Sequence, residues 1–146
     1  ATICDMTIAS ENAIFGQVGP KMGSVDPGFG TAYLARCVGE KKAREIWYMC
    51  KRYSAQEALD MGLINAIYPD DKLDEEVKNW CEEINQRSPS AIALAKKSFN
   101  ADTESIRGLS QFAMQAVKLY YWTEESQEGV KALNEKRDPD FMKYYK

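Results

Sequence analysis

Ser24 and Asp26 stand two residues apart on a loop that carries little else polar. In an extended segment a hydroxyl and a carboxylate at that spacing point the same way. The pair suits proton transfer, with the carboxylate as acceptor and the hydroxyl orienting it or a water. The loop, residues 15–30, holds five glycines and two prolines, and its only polar side chains are Gln17, Lys21, Ser24 and Asp26. Glycine lets a backbone turn sharply or approach a ligand closely, because it has no Cβ. Among Val25, Pro27 and Phe29 the Asp26 carboxylate is expected to be partly desolvated, as a general base requires. The competing reading makes Ser24 and Asp26 caps of a helix that starts near Gly28, since Ser and Asp are favoured N-caps. The residues alone leave both readings open. The loop is not a P-loop, for it lacks the GK[ST] ending.

Other residues narrow the chemistry. The chain has no histidine, which excludes a Ser-His-Asp or Cys-His arrangement and any histidine metal site within it. Proton transfer falls to carboxylates, Tyr, Lys or water. Tyr120 and Tyr121 end a long helical pattern, and half-buried packing is their ordinary role. A phenol can also donate a hydrogen bond to a developing oxyanion. The four cysteines, Cys4, Cys37, Cys50 and Cys81, form no CxxC pair. Each sits among apolar residues and is expected to be a buried free thiol, which points to a reducing, cytoplasmic compartment. At 146 residues and a net charge of −3, with no long apolar run, the chain gives no support to a nucleic-acid or membrane role.

The elements that must position these residues follow from periodicity and caps. Residues 3–9 and 13–16 read as strands, and the glycine-rich loop follows. Helices are expected over 31–38, stopped by Gly39, and over 40–51, where Ala43, Ile46, Trp47 and Cys50 repeat at helical spacing. That spacing makes Trp47 a core residue first. Ser54 and Glu57 form a capping box for a short helix ending at Gly62. Residues 63–68 read as a strand, and 72–86 as a helix with Leu73, Val77, Trp80, Cys81 and Ile84 on one face. Ser88 with Pro89, then Thr103, then Thr123 are expected to start three further helices. The aromatic, basic tail after Pro139 needs something to pack on. The opening strands lack partners, and apolar strand edges are sticky, so more chain or a second polypeptide is expected beside them.

Together several segments resemble the crotonase (enoyl-CoA hydratase/isomerase) superfamily. They are Cys4-Asp5, Phe15-Gly16-Gln17, Gly23 with Thr31 eight residues on, and Ala55-x-Glu57-Ala58-x-x-x-Gly62-Leu63-Ile64-Asn65. Within it, FGQVGPKMGSVDPG, VGEKKAREIWYMC and EGVKALNEKRDPDF resemble the branch of 1,4-dihydroxy-2-naphthoyl-CoA synthase and 2-ketocyclohexanecarboxyl-CoA hydrolase. ATICDMTI, the Val25-Asp26-Pro27 step, CKRYS and the YYK tail are more similar to the hydrolase. The synthase usually reads SFDGG or SFDAG at Ser24 to Gly28.

The resemblance implies an α/β fold, the C-terminal part of a ββα spiral core over residues 1–68, and a helical trimerisation region over 69–146. It implies a CoA thioester substrate, a cytoplasmic homo-oligomer (a trimer or hexamer), and no tightly bound cofactor. Ser24, Asp26 and Tyr121 are implied catalytic residues. Gln17, Gly19 and Trp47 match the synthase's bicarbonate pocket. Gly19 stands where hydratases carry a catalytic Glu, which argues against simple hydration. The family extends well upstream of Ala1, where it keeps its CoA-binding segment and oxyanion-hole amides. Val130 and Leu133 replace an Arg and a Phe of the synthase, and Val18 its usual Thr.

The implied reaction is hydrolytic ring opening of 2-ketocyclohexanecarboxyl-CoA to pimelyl-CoA, in the degradation of aromatic acids such as benzoate. Asp26 would activate water, Ser24 would orient Asp26 or the water, and Tyr121 would serve the ketone oxygen. The alternatives are ring closure of o-succinylbenzoyl-CoA by a synthase of the same branch, or a non-catalytic piece that needs a complementary part.

Overall fold

The computed structural model describes residues 1–145, with Arg107 by its backbone alone. Among the described residues four short strands are interleaved with three α-helices, and four further α-helices follow. The order is β1 (Ile8–Ser10), β2 (Ile14–Gly16), α1 (Phe29–Val38), α2 (Glu40–Met49), β3 (Arg52–Ser54), α3 (Ala55–Asp60) and β4 (Ala66–Tyr68). There follow α4 (Leu73–Asn85), α5 (Pro89–Asp102), α6 (Glu104–Tyr121) and α7 (Glu124–Asn134). Among the described residues no helix is long and apolar enough to cross a membrane.

The strands form two ribbons. β1 lies parallel to β4, with Ala9 opposite Ile67, and β2 lies antiparallel to β3, with Phe15 opposite Tyr53. Two small cores fill the space between strands and helices. One gathers Leu34, Ala43, Ile46, Trp47 and Tyr53; the other gathers Ala9, Ala58 and Ile64. Leu63 packs against both. Trp47 is therefore a core residue, as its spacing predicts.

Local capping sets the helices. Ser54 accepts from the Glu57 amide while the Glu57 carboxylate accepts from the Ser54 amide, the expected capping box. Gly39 closes α1 and Gly62 follows α3 with φ +78°. Ser88 and Thr123 accept from Ala91 N and Ser126 N. Thr103 is different: its hydroxyl accepts from Tyr33 Oη at 2.9 Å and donates to Asn100 O at 2.8 Å. It therefore caps no amide of α6.

The strands depart further from expectation. The strand expected over 3–9 begins only at Ile8, because β4 supplies partners from Ala66 onward. Before it, Asn65 holds both polar groups of Thr7: Thr7 N donates to Asn65 Oδ1 at 2.7 Å, and Asn65 N donates to Thr7 O at 2.7 Å. Asp5 pairs with Lys96 of α5 instead of lying in a sheet. The strand expected over 63–68 shrinks for the same reason, and β3 is an additional pairing with β2. The cysteines are free, but Cys4, Cys37 and Cys81 are exposed and Cys50 is half-buried. The covered stripes of α1 and α4 are too narrow to reach Cys37 and Cys81; Val77, on the expected inner face of α4, is itself exposed.

Helix α7 packs closely on the backbone of the glycine-rich loop. Ser126, 1% exposed, donates to Gly23 O at 2.8 Å. A Cβ on Gly129 would lie 2.3 Å from Met22 O, so only glycine fits there without a shift. Gly23 itself has φ +66°, and a Cβ on it would meet Ser126 O at 2.8 Å. The tail folds back on the same helix. Glu128 accepts from Arg137 Nη1 at 2.6 Å, Arg137 Nη2 at 3.2 Å and Asp140 N at 3.0 Å. Lys143 adds a longer contact at 3.5 Å, and Tyr144 Oη donates to Glu124 O at 3.1 Å.

The Arg137 fork, then the Asp140 amide, hold the Glu128 carboxyl at about 2, below its ordinary 4.5. A carboxyl depressed in the folded state adds stability above its unfolded value and loses it as pH falls through the folded value. Glu128→Gln should therefore lower the melting temperature at neutral pH. The gap from wild type should close as pH falls from 4.5 towards 2. Thermal melts across that range check this, and a gap independent of pH would contradict it.

Candidate functional site

The glycine-rich loop is closed on itself by its own backbone. Met22 N donates to Val18 O at 3.1 Å and Ser24 N donates to Gly19 O at 2.8 Å, around a 3-10 turn at Pro20–Met22. Between this loop and the first turns of α7 lies a cleft of about 640 Å³. Gln17, Gly19, Ser24, Asp26, Trp47 and Tyr121 all line it, so the structure brings all six predicted site residues together. Val18, Met22, Val25 and Val130 supply apolar wall, and Ser126 and Gln127 close the α7 side. Among the described residues that line the cleft, Asp26 is the only charged side chain.

Ser24 and Tyr121 meet directly. Ser24 Oγ lies 2.8 Å from Tyr121 Oη, and either hydroxyl can donate. Tyr121 is the last residue of α6 and is 42% exposed, so its phenol stands at the cleft edge beside the Tyr120 ring. Burial pushes the Tyr120 phenol up, with the Glu125 charge adding to it.

Asp26 resolves the competition between cap and base in an unexpected way. Its Oδ1 accepts from Gly28 N at 3.1 Å and its Oδ2 from Gly30 N at 3.0 Å. These amides belong to the start of α1, so Asp26 does act as a cap, although Gly28 holds the N-cap position. The partial positive charge of a helix N-terminus favours a carboxylate there. Ser24 caps nothing and serves Tyr121. The expected desolvation of Asp26 is not found: the residue is exposed, because the loop presents its edge rather than its centre to the core. Each carboxylate oxygen keeps a second lone pair for a proton or water.

The other side of the cleft is more buried. Trp47 is 6% exposed, and its indole N–H has no hydrogen-bond partner among the described residues. A Cβ on Gly19 would lie 2.8 Å from Ser24 O and 3.0 Å from Trp47 Cζ3. A carboxylate-bearing side chain at position 19 thus has no room in this packing. Two residues of the site escaped sequence reasoning, Ser126 and Gln127. Gln127 Nε2 donates to Tyr121 O at 2.8 Å. The available signal was the pair of small residues Ser126 and Gly129, three apart on one helix face, which marks a close backbone approach.

This cleft can hold a proton acceptor fixed by backbone amides beside a coupled pair of hydroxyls. The sequence matches enoyl-CoA hydratase/isomerase over residues 1–144. An enoyl-CoA hydratase from Mycobacterium avium subsp. paratuberculosis K-10 is 30% identical with a TM-score of 0.88, over 97% of this chain and 58% of that one. An enoyl-CoA hydratase/isomerase from Pseudoalteromonas atlantica T6c is 25% identical with a TM-score of 0.87, over 96% and 57%. A carnitinyl-CoA hydratase from Mycobacterium avium is 26% identical with a TM-score of 0.86, over 95% and 55%. The chain thus spans little more than half the length of these structures and shares their fold across that span, which is the α/β crotonase fold in part. The chain belongs to the enoyl-CoA hydratase/isomerase family, the crotonase superfamily.

Proposed function

We propose that this chain forms the acid–base side of an acyl-CoA-processing enzyme, and that its reaction is hydrolytic opening of a cyclic β-keto acyl-CoA. The convergence of the six residues on one cleft carries the reading. Family membership, and relatives named for enoyl-CoA and carnitinyl-CoA, support a CoA thioester as substrate.

In this reaction Asp26 takes a proton from water as the water attacks the ring ketone. The ketone oxygen becomes an alkoxide, and the Tyr121 phenol donates a hydrogen bond to it. Ser24 orients that phenol, a different role from orienting Asp26. The ring carbon–carbon bond then breaks, its electrons forming a thioester enolate while the attacked carbon becomes a carboxylic acid. Fixed amide donors outside this cleft would hold the enolate. A proton returned to the enolate carbon completes the addition of one water.

The charge of the cleft favours a neutral ring such as 2-ketocyclohexanecarboxyl-CoA. A carboxylate-bearing acyl group would face Asp26 with no lining cation to balance it. The new carboxylate of pimelyl-CoA would be repelled by Asp26, which assists release. A second reading, ring closure of o-succinylbenzoyl-CoA, is favoured by one observation. Trp47, whose indole N–H is unpaired among the described residues, lines the cleft with Gln17 and Gly19, a set that suits a small anion such as bicarbonate. Under either reading we place the protein in the cytoplasm as a homo-oligomer. The exposed Leu94, Phe99, Phe112 and Leu119 of α5 and α6 would be covered by its own copies.

Two measurements test the proposal on the whole enzyme. Asp26→Asn should lower kcat by about 10²-fold or more with KM little changed. The same variant should melt a few degrees lower, since a lost cap costs about 1 kcal/mol. Near-normal turnover would refute the assignment of Asp26. Incubation with each CoA ester, followed by mass measurement, should show gain of one water on the ketocyclohexane ester. It should show no loss of water from o-succinylbenzoyl-CoA. The opposite pattern selects the synthase reading.

A further inference from the structure

We propose that Ser126 and Gln127 are positioning residues that together set the Ser24–Tyr121 hydrogen bond, a proposal that rests on the catalytic reading of that pair. Ser24 and Tyr121 are 97 positions apart in the chain, so no local geometry fixes their 2.8 Å separation. Two adjacent residues of α7 hold the two sides. Ser126 Oγ donates to the carbonyl of Gly23, the residue before Ser24, at 2.8 Å. Gln127 Nε2 donates to the carbonyl of Tyr121 itself at 2.8 Å. One helical turn thus grips both backbones from which the paired hydroxyls project.

The grip is itself anchored. Thr123 accepts from Ser126 N at 3.2 Å, and its hydroxyl donates to Tyr120 O at 2.6 Å, which fixes the corner between α6 and α7. Gly129 lies directly under Met22, so α7 cannot slide along the loop without a backbone clash. Both donors reach backbone carbonyls, so besides lining the cleft they act on it through Ser24 and Tyr121. Hydrogen bonds weaken steeply with lost alignment, and misplacement on the scale of an ångström costs catalysis heavily.

The test reads the hydrogen bond separately from turnover. With tyrosine labelled by carbon-13 at Cζ, the Tyr121 resonance is identified by its absence in Tyr121→Phe. Ser24→Ala then defines the shift that accompanies loss of the bond. Ser126→Ala and Gln127→Met should each move the Tyr121 resonance in the direction of Ser24→Ala, by at least half as much. Gln127 is exposed, so its variant keeps the question answerable if Ser126→Ala fails to fold. A Tyr121 resonance at its wild-type position in Gln127→Met overturns the proposal. Gln127→Met should also lower kcat about tenfold in the native background and by much less in Tyr121→Phe. An equal loss in both backgrounds overturns it as well. If Tyr121→Phe alone leaves turnover intact, the catalytic reading fails, while the resonance still decides whether α7 sets the bond.

Discussion

The packing of α7 against the glycine-rich loop is the constraint on which the rest depends. Gly23 and Gly129 let two backbones touch, and the buried Ser126 hydroxyl satisfies a carbonyl that would otherwise be orphaned there. An unmet buried carbonyl costs about 1–3 kcal/mol, so this one hydroxyl both closes the contact and prevents a penalty. Everything polar in the cleft follows from that approach. Ser24 leaves the loop one residue after the contact, and Tyr121 arrives from α6 two residues before α7's cap. Wider spacing at either glycine would separate the two hydroxyls and open the cleft.

Asp26 has a structural role, and under the proposed function a chemical one as well. Its two oxygens accept from the amides of Gly28 and Gly30, which pins the side chain in a single orientation at the head of α1. A carboxylate has about four lone-pair sites, and two are used. The remaining pair faces solvent and cleft. With backbone donors fixing it, Asp26 has no other charged side chain beside it among the described residues that line the cleft.

How much of this was legible in the sequence differs by element. Helix starts were, because a cap is a local event: Ser54 with Glu57, Ser88 with Pro89 and Thr123 act within four residues. Thr103 starts α6 as read, but its hydroxyl accepts from Tyr33, far away in sequence, and from no amide of the helix. Strands were poorly legible. Pairing belongs to two segments, and residues 3–7 hold alternating side chains but have no ladder to join. The cysteines were misplaced because apolar neighbours in sequence do not fix the width of a buried stripe. In the site, the six residues read from the loop and its resemblance do share a cleft. Their connections were not legible, since the Ser24–Tyr121 and Ser126–Gly23 bonds each join segments roughly a hundred residues apart.

The acidic, cation-free lining of the cleft links the chemistry to the tail. Lys131 of α7 pairs with Glu135, and Arg137 and Lys143 of the tail are held by Glu128, one residue past Gln127. Glu128 is 8% exposed, and its charge is matched there rather than in the cleft. The same helix therefore presents donors without charge to the site and a satisfied ion cluster to the tail. Moving either cation to the cleft would leave Glu128 buried and under-compensated, at a steep energetic penalty. Among the described residues the α7 wall of the cleft thus carries no charge, while the charge of Glu128 is met on the tail side.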